Sequence, residues 1–104
     1  DNIHGDSGLD GPEFPETNRQ AESQSAVDFI IEECLKYDKE LVLIPTGPLT
    51  NIALALMKEP RIKEGIKEIV LMGGAYGMGN HTPSAEFNIY VDPLAADIVL
   101  NSSF

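Results

Sequence analysis

The sequence contains few basic residues and a single cysteine. Of its 104 residues, 7 are Lys or Arg and 17 are Asp or Glu, which gives a net charge of −10. Proteins bind nucleic acids and anionic membranes through clustered positive charge, so the composition argues against both partners. Cys34 has no second cysteine to pair with, which excludes a disulfide framework and a thiolate metal site. We expect Cys34 to pack as a small apolar side chain.

A long apolar run and a secretory signal are also missing. No apolar run approaches the ~20 residues of a membrane span, and the polar start Asp1-Asn2-Ile3-His4 does not resemble a signal peptide. We therefore expect a cytoplasmic protein. The chain begins without Met and stops where a helix should close, at Phe104, so we expect residues 1–104 to be the central portion of one longer domain.

The residues that are present alternate between helical and strand patterns. Apolar side chains recur at helical spacing from about Gln20 to Leu35, again from Pro48 to Pro60, and again after Asp92-Pro93. Ser23 and Ser25 are candidate N-caps of the first helix, and Pro48 suits the first turn of the second. A short helical piece is expected at 61–66.

Two continuous apolar runs, Leu41–Pro45 and Ile69–Met72, are typical of strands that are buried on both faces of a parallel sheet. A strand, a helix and a second strand joined by short links predict a parallel pair with a crossover helix. The sequence therefore predicts an α/β fold, a parallel sheet with flanking helices.

Two glycine- and proline-rich segments are candidate sites. Residues 2–12 contain His4, which could contact a heterocycle or act in acid–base chemistry, although an ordinary surface turn is the plainer alternative. Residues 45–51 join a predicted strand to a helix, where a carbonyl could ligate a hard cation such as Ca²⁺ or the helix start could favour an anion. The alternative there is a simple connection in which Thr50 or Asn51 bonds locally.

The segment from Met72 to Asn88 is the most informative. It follows a predicted strand, and open α/β sheets bind ligands at the carboxyl ends of their strands. Asn80, Glu86 and Asn88 supply the donors and acceptors that a vicinal diol requires. The glycine spacing does not match G-x-G-x-x-G, which argues against a dinucleotide site. A loop with satisfied polar groups is the alternative, and we expect the neighbouring His81 to face solvent.

Three motifs resemble those of the inosine–uridine-preferring nucleoside hydrolases, in the same order and at similar spacing. They are His4-Gly5-Asp6-Ser7-Gly8-Leu9-Asp10-Gly11, then Pro45-Thr46-Gly47-Pro48-Leu49-Thr50-Asn51-Ile52-Ala53, then Leu71-Met72-Gly73-Gly74 with Asn80, Ala85-Glu86-Phe87-Asn88 and Asp92-Pro93. The resemblance covers nearly the whole chain. It implies an incomplete, Rossmann-like nucleoside hydrolase sheet. We also expect a homo-oligomer. The resemblance also implies hydrolysis of ribonucleosides to free base and ribose by a Ca²⁺-activated water, in purine or pyrimidine nucleoside catabolism.

The same resemblance implies roles for individual residues. The main-chain carbonyl of Thr46 would bind Ca²⁺, and no catalytic residue is assigned within this span. Asn80, Glu86 and Asn88 would hold the ribose hydroxyls. Met72 would line the sugar pocket and His4 would lie near the nucleobase.

Two motifs of that family have no counterpart here, namely its Asp-x-Asp-x-Gly-x-Asp-Asp run and its downstream His-Asp pair. One carbonyl cannot hold Ca²⁺, which takes ~6–8 oxygens, so we expect these residues alone to be inactive. One alternative is a non-catalytic fragment that associates with itself or with a complementary chain, because missing strands would leave sheet edges uncovered. The other is a nucleoside- or ribose-binding module without turnover.

Overall fold

Short parallel strands and flanking helices make up the computed structural model, which describes residues 5–104. This confirms the predicted parallel sheet with flanking helices. In chain order, the elements are α1 (Ala26–Leu35), β1 (Leu41–Leu43), α2 (Thr50–Lys58), a 3₁₀ helix (Pro60–Glu64), β2 (Ile66–Ile69), α3 (Phe87–Val91) and α4 (Pro93–Leu100).

The first helix begins at Ala26, six residues later than the predicted start at Gln20. The side chain of Ser25 accepts a hydrogen bond from the Asp28 N–H at 3.1 Å, so Ser25 and not Ser23 is the N-cap. The residues before it are polar and lack a stripe that could be buried, which is why the helix does not extend further back. Cys34 near its end is fully buried, as predicted, and burial raises the pKa of its thiol.

The two strands pair in parallel, with Leu41 opposite Ile66 and Leu43 opposite Ile69. The prediction of a second strand at Ile69–Met72 was wrong by three residues. Among residues 5–104, one further ladder bond follows β2, from the Val70 N–H to the Leu43 carbonyl at 2.8 Å. Leu71 and Met72 are therefore apolar without being paired, and together with Val70 they form part of the wall of a cavity described below.

The second helix begins at Thr50, with Leu49 at the N-cap position. Pro48 therefore precedes the helix, and the prediction that it occupies the first turn was wrong. The end was predicted correctly, because the helix stops at Lys58, just before Pro60 starts a 3₁₀ helix. At the other end of the chain Asp92 caps α4 by accepting from the Ala95 N–H at 3.0 Å, and Pro93 occupies the first turn, as predicted.

The hydrophobic core lies where α1, α2, α4, the 3₁₀ helix and the first residue of β2 meet. Ile62 and Ile66 are fully buried, and each contributes about 1.5–3 kcal/mol through removal of its side chain from water. The other buried members are Cys34, Leu49, Ile52, Ala53, Ala55, Leu56, Ala95, Ala96 and Val99. This core fixes the ends of both strands and the starts of α2 and α4.

Large apolar side chains also remain on the surface of the described residues, among them Met57 on α2 and Leu94 on α4. Within residues 5–104, no helix is both long enough and apolar enough to cross a bilayer.

Gly65 is the position where the packing of the core tolerates no side chain. It is buried, and a Cβ there would overlap the backbone carbonyl of Cys34 and lie 3.1 Å from the carbonyl oxygen of Tyr37. We expect Gly65→Ala to lower the free energy of unfolding by about 2 kcal/mol, since backbone atoms must move to make room. Urea denaturation measures this change. Gly47→Ala is the matched control, because nothing lies within 4 Å of its new Cβ; equal stability of the two variants would contradict the packing argument.

Candidate ligand-binding site

A cavity of about 700 Å³ lies at the carboxyl ends of the two strands and the start of α3. Parallel sheets bind ligands at this edge, because the loops that leave successive strands meet there. The lining residues are Ile44, Pro45, Thr46, Val70, Leu71, Met72, Asn80, His81, Glu86, Phe87 and Asn88. The strand ends supply the apolar part of this lining, and the segment from 80 to 88 supplies most of the polar part.

Glu86 is the buried polar residue of the described chain, with 5% of its surface exposed. Its carboxylate accepts hydrogen bonds from the N–H groups of Asn88 at 3.0 Å, Ile89 at 3.2 Å and Gly74 at 3.2 Å. The first two bonds make Glu86 the N-cap of α3, and the third ties the glycine loop to that helix. The Asn88 N–H, followed by those of Ile89 and Gly74, holds the pKa of the Glu86 carboxyl below its usual range despite burial.

The two asparagines are held by bonds that leave part of each amide for a ligand. Asn80 Oδ1 accepts from the Phe87 N–H at 2.8 Å, so its Nδ2 group remains. Asn88 Nδ2 donates to the Met72 carbonyl at 3.0 Å, so its Oδ1 remains. A carboxylate has about four acceptor sites, of which Glu86 uses three here. The cavity therefore offers both a donor and acceptors, the combination that suits neighbouring hydroxyl groups.

A tight loop positions Asn80. The carbonyl of Ala85 accepts from the N–H groups of Asn80 at 3.1 Å and His81 at 3.0 Å. Thr82 Oγ1 closes the loop from the other side by accepting from the Ala85 N–H at 3.0 Å. Gly79 leads into it, and a Cβ there would overlap the backbone of Ala85.

Thr46 reaches the cavity from the end of β1, and it also borders a second cavity of about 290 Å³. No backbone N–H of residues 5–104 donates to its carbonyl, so this oxygen is available. Within the same residues, no group of three or more His, Cys, Asp or Glu side chains could hold a metal ion. Because Glu86 is committed to backbone N–H groups, the described donors do not make a Ca²⁺ site by themselves.

A hydrogen bond between distant residues fixes the Thr46 segment relative to α3 and α4. Thr50 Oγ1 donates to Asp92 Oδ2 at 2.6 Å, and Asp92 also caps α4. The bond to Thr50, then that to Ala95, lowers the pKa of the Asp92 carboxyl. The alternative for this segment was a simple connection in which Thr50 or Asn51 bonds locally. The Thr50 hydroxyl bonds instead to a residue 42 positions away in the sequence.

Of the residues singled out from the sequence, Thr46, Met72, Asn80, Glu86 and Asn88 all line the larger of these two cavities. His4 lies outside the described residues. Their roles stay predictions, since the geometry shows proximity and not binding.

A cluster of three aromatic rings, two of which line this cavity, was not predicted from the sequence. His81 is exposed, as expected, yet it lines the cavity and contacts Tyr90 and Phe87 with ring centroids 4.4 Å and 5.6 Å away. The contact depends on α3, a five-residue helix for which the sequence pattern gives no prediction. This helix is hard to predict from sequence, because it is too short to show an apolar period and its N-cap is a glutamate.

Comparisons with known proteins point to one family. Residues 1–104 match the family described as inosine-uridine preferring nucleoside hydrolase. The pyrimidine-specific ribonucleoside hydrolase RihB of Escherichia coli O157:H7 (strain EC4115 / EHEC) is 59% identical over 102 residues, which cover 98% of this chain and 33% of that relative. The chain thus spans about a third of the length of this relative and between 33% and 42% of the length of other curated relatives it matches.

Solved structures agree in fold. The purine-preferring ribonucleoside hydrolase from Gardnerella vaginalis matches with a TM-score of 0.86 and 56% identity, over 93% of this chain and 31% of that one. The plant nucleoside hydrolase PpNRh1 matches with a TM-score of 0.84 and 37% identity over the same shares, 93% and 31%. These matches confirm the predicted nucleoside hydrolase-like α/β fold.

The Glu86 carboxylate makes the stability of this region depend on pH. Its pKa is lower in the folded chain than the ordinary value of 4.5, so its contribution to stability is fully present above that value and is lost as the pH falls through the folded pKa. We expect Glu86→Gln to lower the melting temperature by a constant amount above about pH 6, and by a shrinking amount below about pH 4.5. Thermal unfolding followed by circular dichroism across this range measures the difference.

Glu16→Gln is the control for this experiment, since it removes the same charge from an exposed loop. It should leave the melting temperature nearly unchanged at every pH. A difference between the wild-type protein and Glu86→Gln that does not vary with pH would contradict the assignment of Glu86 as an ionised cap.

Proposed function

This chain belongs to the inosine-uridine preferring nucleoside hydrolase family, and on that premise we propose that its cavity holds the ribose of a ribonucleoside during hydrolysis of the N-glycosidic bond. The observation that carries the proposal is the convergence of Asn80, Glu86 and Asn88, beside Met72, in one cavity at the strand ends. Their unused donor and acceptors match the two functions of a hydroxyl group, which donates one hydrogen bond and accepts others.

The chemistry that these residues support is stabilisation of a sugar that becomes positively charged. Cleavage of a glycosidic bond passes through a state that resembles an oxocarbenium ion. An ionised carboxylate fixed beside the ribose favours that state more than the neutral substrate, which is the difference that accelerates a reaction. Glu86 is proposed to act in this way, through its charge and its remaining acceptor site, and not as the group that activates water.

The base preference of the two most informative relatives differs, since one is called pyrimidine-specific and the other purine-preferring, at 59% and 56% identity to this chain. Similarity of this degree to both supports the proposal that this part of the fold recognises what the substrates have in common, the ribose. We therefore propose a ribonucleoside substrate without assigning its base.

Among the described residues, we propose one ligand atom for Ca²⁺. The carbonyl of Thr46 would supply one of the ligands, and the other oxygens must come from groups that residues 5–104 do not bring together. We accordingly propose that the described residues bind the sugar but do not complete the reaction.

Binding without turnover is the second candidate function, and the same cavity favours it.

Self-association is a further prediction, in line with the exposure of Met57 and Leu94 at 65% and 69%. A melting temperature that rises with protein concentration would support it.

The charge of the cavity provides the test of the proposed substrate class. Its described lining contains the Glu86 carboxylate and no Lys or Arg, in a chain of net charge −10. We expect uridine or inosine to bind at least about tenfold more tightly than the matching 5′-monophosphate at low ionic strength, because a phosphate is repelled there. This difference in affinity should become smaller in high salt, because salt screens the repulsion between the phosphate and the carboxylate.

Calorimetric or NMR titration gives these dissociation constants. In Glu86→Gln, the difference in affinity between the nucleoside and its monophosphate should be smaller even without added salt. Tighter binding of the monophosphate would contradict the proposal, and so would the absence of nucleoside binding.

The incomplete set of metal ligands leads to a second expectation. We expect Ca²⁺ to bind the 104-residue chain with a dissociation constant above about 1 mM, since one carbonyl replaces too little of the hydration shell. Calcium titration followed by calorimetry measures this, with Mg²⁺ as the control for weak attraction to the acidic surface. Micromolar binding that is selective for Ca²⁺ would show that the chain holds a complete site.

A further inference from the structure

His81 occupies the same cavity as the predicted ribose-binding residues, although neither motif nor spacing singled it out. Its backbone N–H donates to the Ala85 carbonyl at 3.0 Å, which anchors the residue within the tight loop that carries Asn80. Its ring packs against Tyr90 at 4.4 Å with a tilt of 38° and meets Phe87 nearly edge-on at 5.6 Å and 64°. Phe87 and Tyr90 lie one helical turn apart on α3, so one face of this short helix supports the imidazole.

This support restrains the His81 ring without using its nitrogens. Among residues 5–104, the ring takes part in aromatic contacts, and no side-chain or backbone group is hydrogen-bonded to Nδ1 or Nε2. A neutral imidazole offers one donor and one acceptor. A side chain that is held in place, borders a cavity and keeps both polar atoms available is suited to contact a ligand.

We propose that His81 contacts the substrate and donates or accepts a hydrogen bond at the sugar end of the bound nucleoside. This assignment rests on the proposed function. It follows from the position of His81 next to Asn80 on one loop, and from its contact with Phe87, the residue after Glu86. His81 thus belongs to the polar lining from 80 to 88 and not to the apolar lining at the strand ends.

Stacking on the nucleobase is the other way in which an imidazole could contribute. The contact with Tyr90 disfavours it, since that ring already packs closely against His81 and occupies part of its π surface. Tyr90 does not line the cavity itself, so it acts as a positioning residue for His81.

The test uses His81→Phe, which keeps a flat ring to pack on Tyr90 and Phe87 but removes both nitrogens. Dissociation constants for uridine and for D-ribose are measured by NMR titration, with the spectrum of each variant confirming its fold. We expect His81→Phe to raise the dissociation constants of both ligands about fivefold, which is equivalent to ~1 kcal/mol of binding free energy. Tyr90→Phe should leave both dissociation constants unchanged, because it keeps the supporting ring. Tyr90→Ala removes that ring and should raise both dissociation constants.

The outcomes separate this inference from the proposed function. If the wild-type protein binds uridine and His81→Phe binds it equally well, the role of His81 is wrong and the ribose-binding cavity stands. If His81→Phe weakens uridine but not ribose, the contact is with the base and the assignment to the sugar end is overturned. If the wild-type protein binds neither ligand, the proposed function itself fails.

Discussion

The arrangement of the cavity depends on one buried carboxylate. Glu86 joins the loop after the second strand to the start of α3, because its oxygens accept from the N–H of Gly74 and from those of Asn88 and Ile89. Each of these donors would otherwise need water or another partner. A neutral side chain of the same size would satisfy them less well, since bonds to an ionised acceptor are stronger. The charge of Glu86 is therefore a structural requirement, apart from the chemical role proposed for it.

A second polar contact lies at the other end of α3. Asp92 ends α3, caps α4 and accepts from the Thr50 hydroxyl at the start of α2. Since α2 follows the Thr46 loop, this bond fixes the distance between the carbonyl at the first strand end and the residues of α3. The hydrophobic core beneath, centred on Ile62 and Ile66, sets the strands, but these two carboxylates set the loops that carry the polar groups.

Much of this architecture was predictable where one local signal dominates. The Asp92-Pro93 start of α4 was such a case, since cap and first-turn residue agree. The second strand was misplaced because the apolar run continues into the cavity wall, and hydrophobicity alone does not separate a paired strand from a lining segment. The polar residues of the cavity were predicted from motif and chemistry. The place of His81 was not, because its contact with Tyr90 exists only once α3 has formed.

The sign of the charge links the structure of the site to the proposed reaction. A buried anion is costly to maintain, and here three backbone N–H groups stabilise it before any ligand arrives. These donors reduce but do not cancel its attraction for positive charge, and the described lining holds no Lys or Arg to neutralise it. Ribose gains positive charge as the bond to the base breaks, whereas the ground-state nucleoside is neutral. Under the proposed function, a fixed carboxylate at this position would stabilise the developing cation more than the substrate, and because it is already oriented, no rearrangement would oppose the gain.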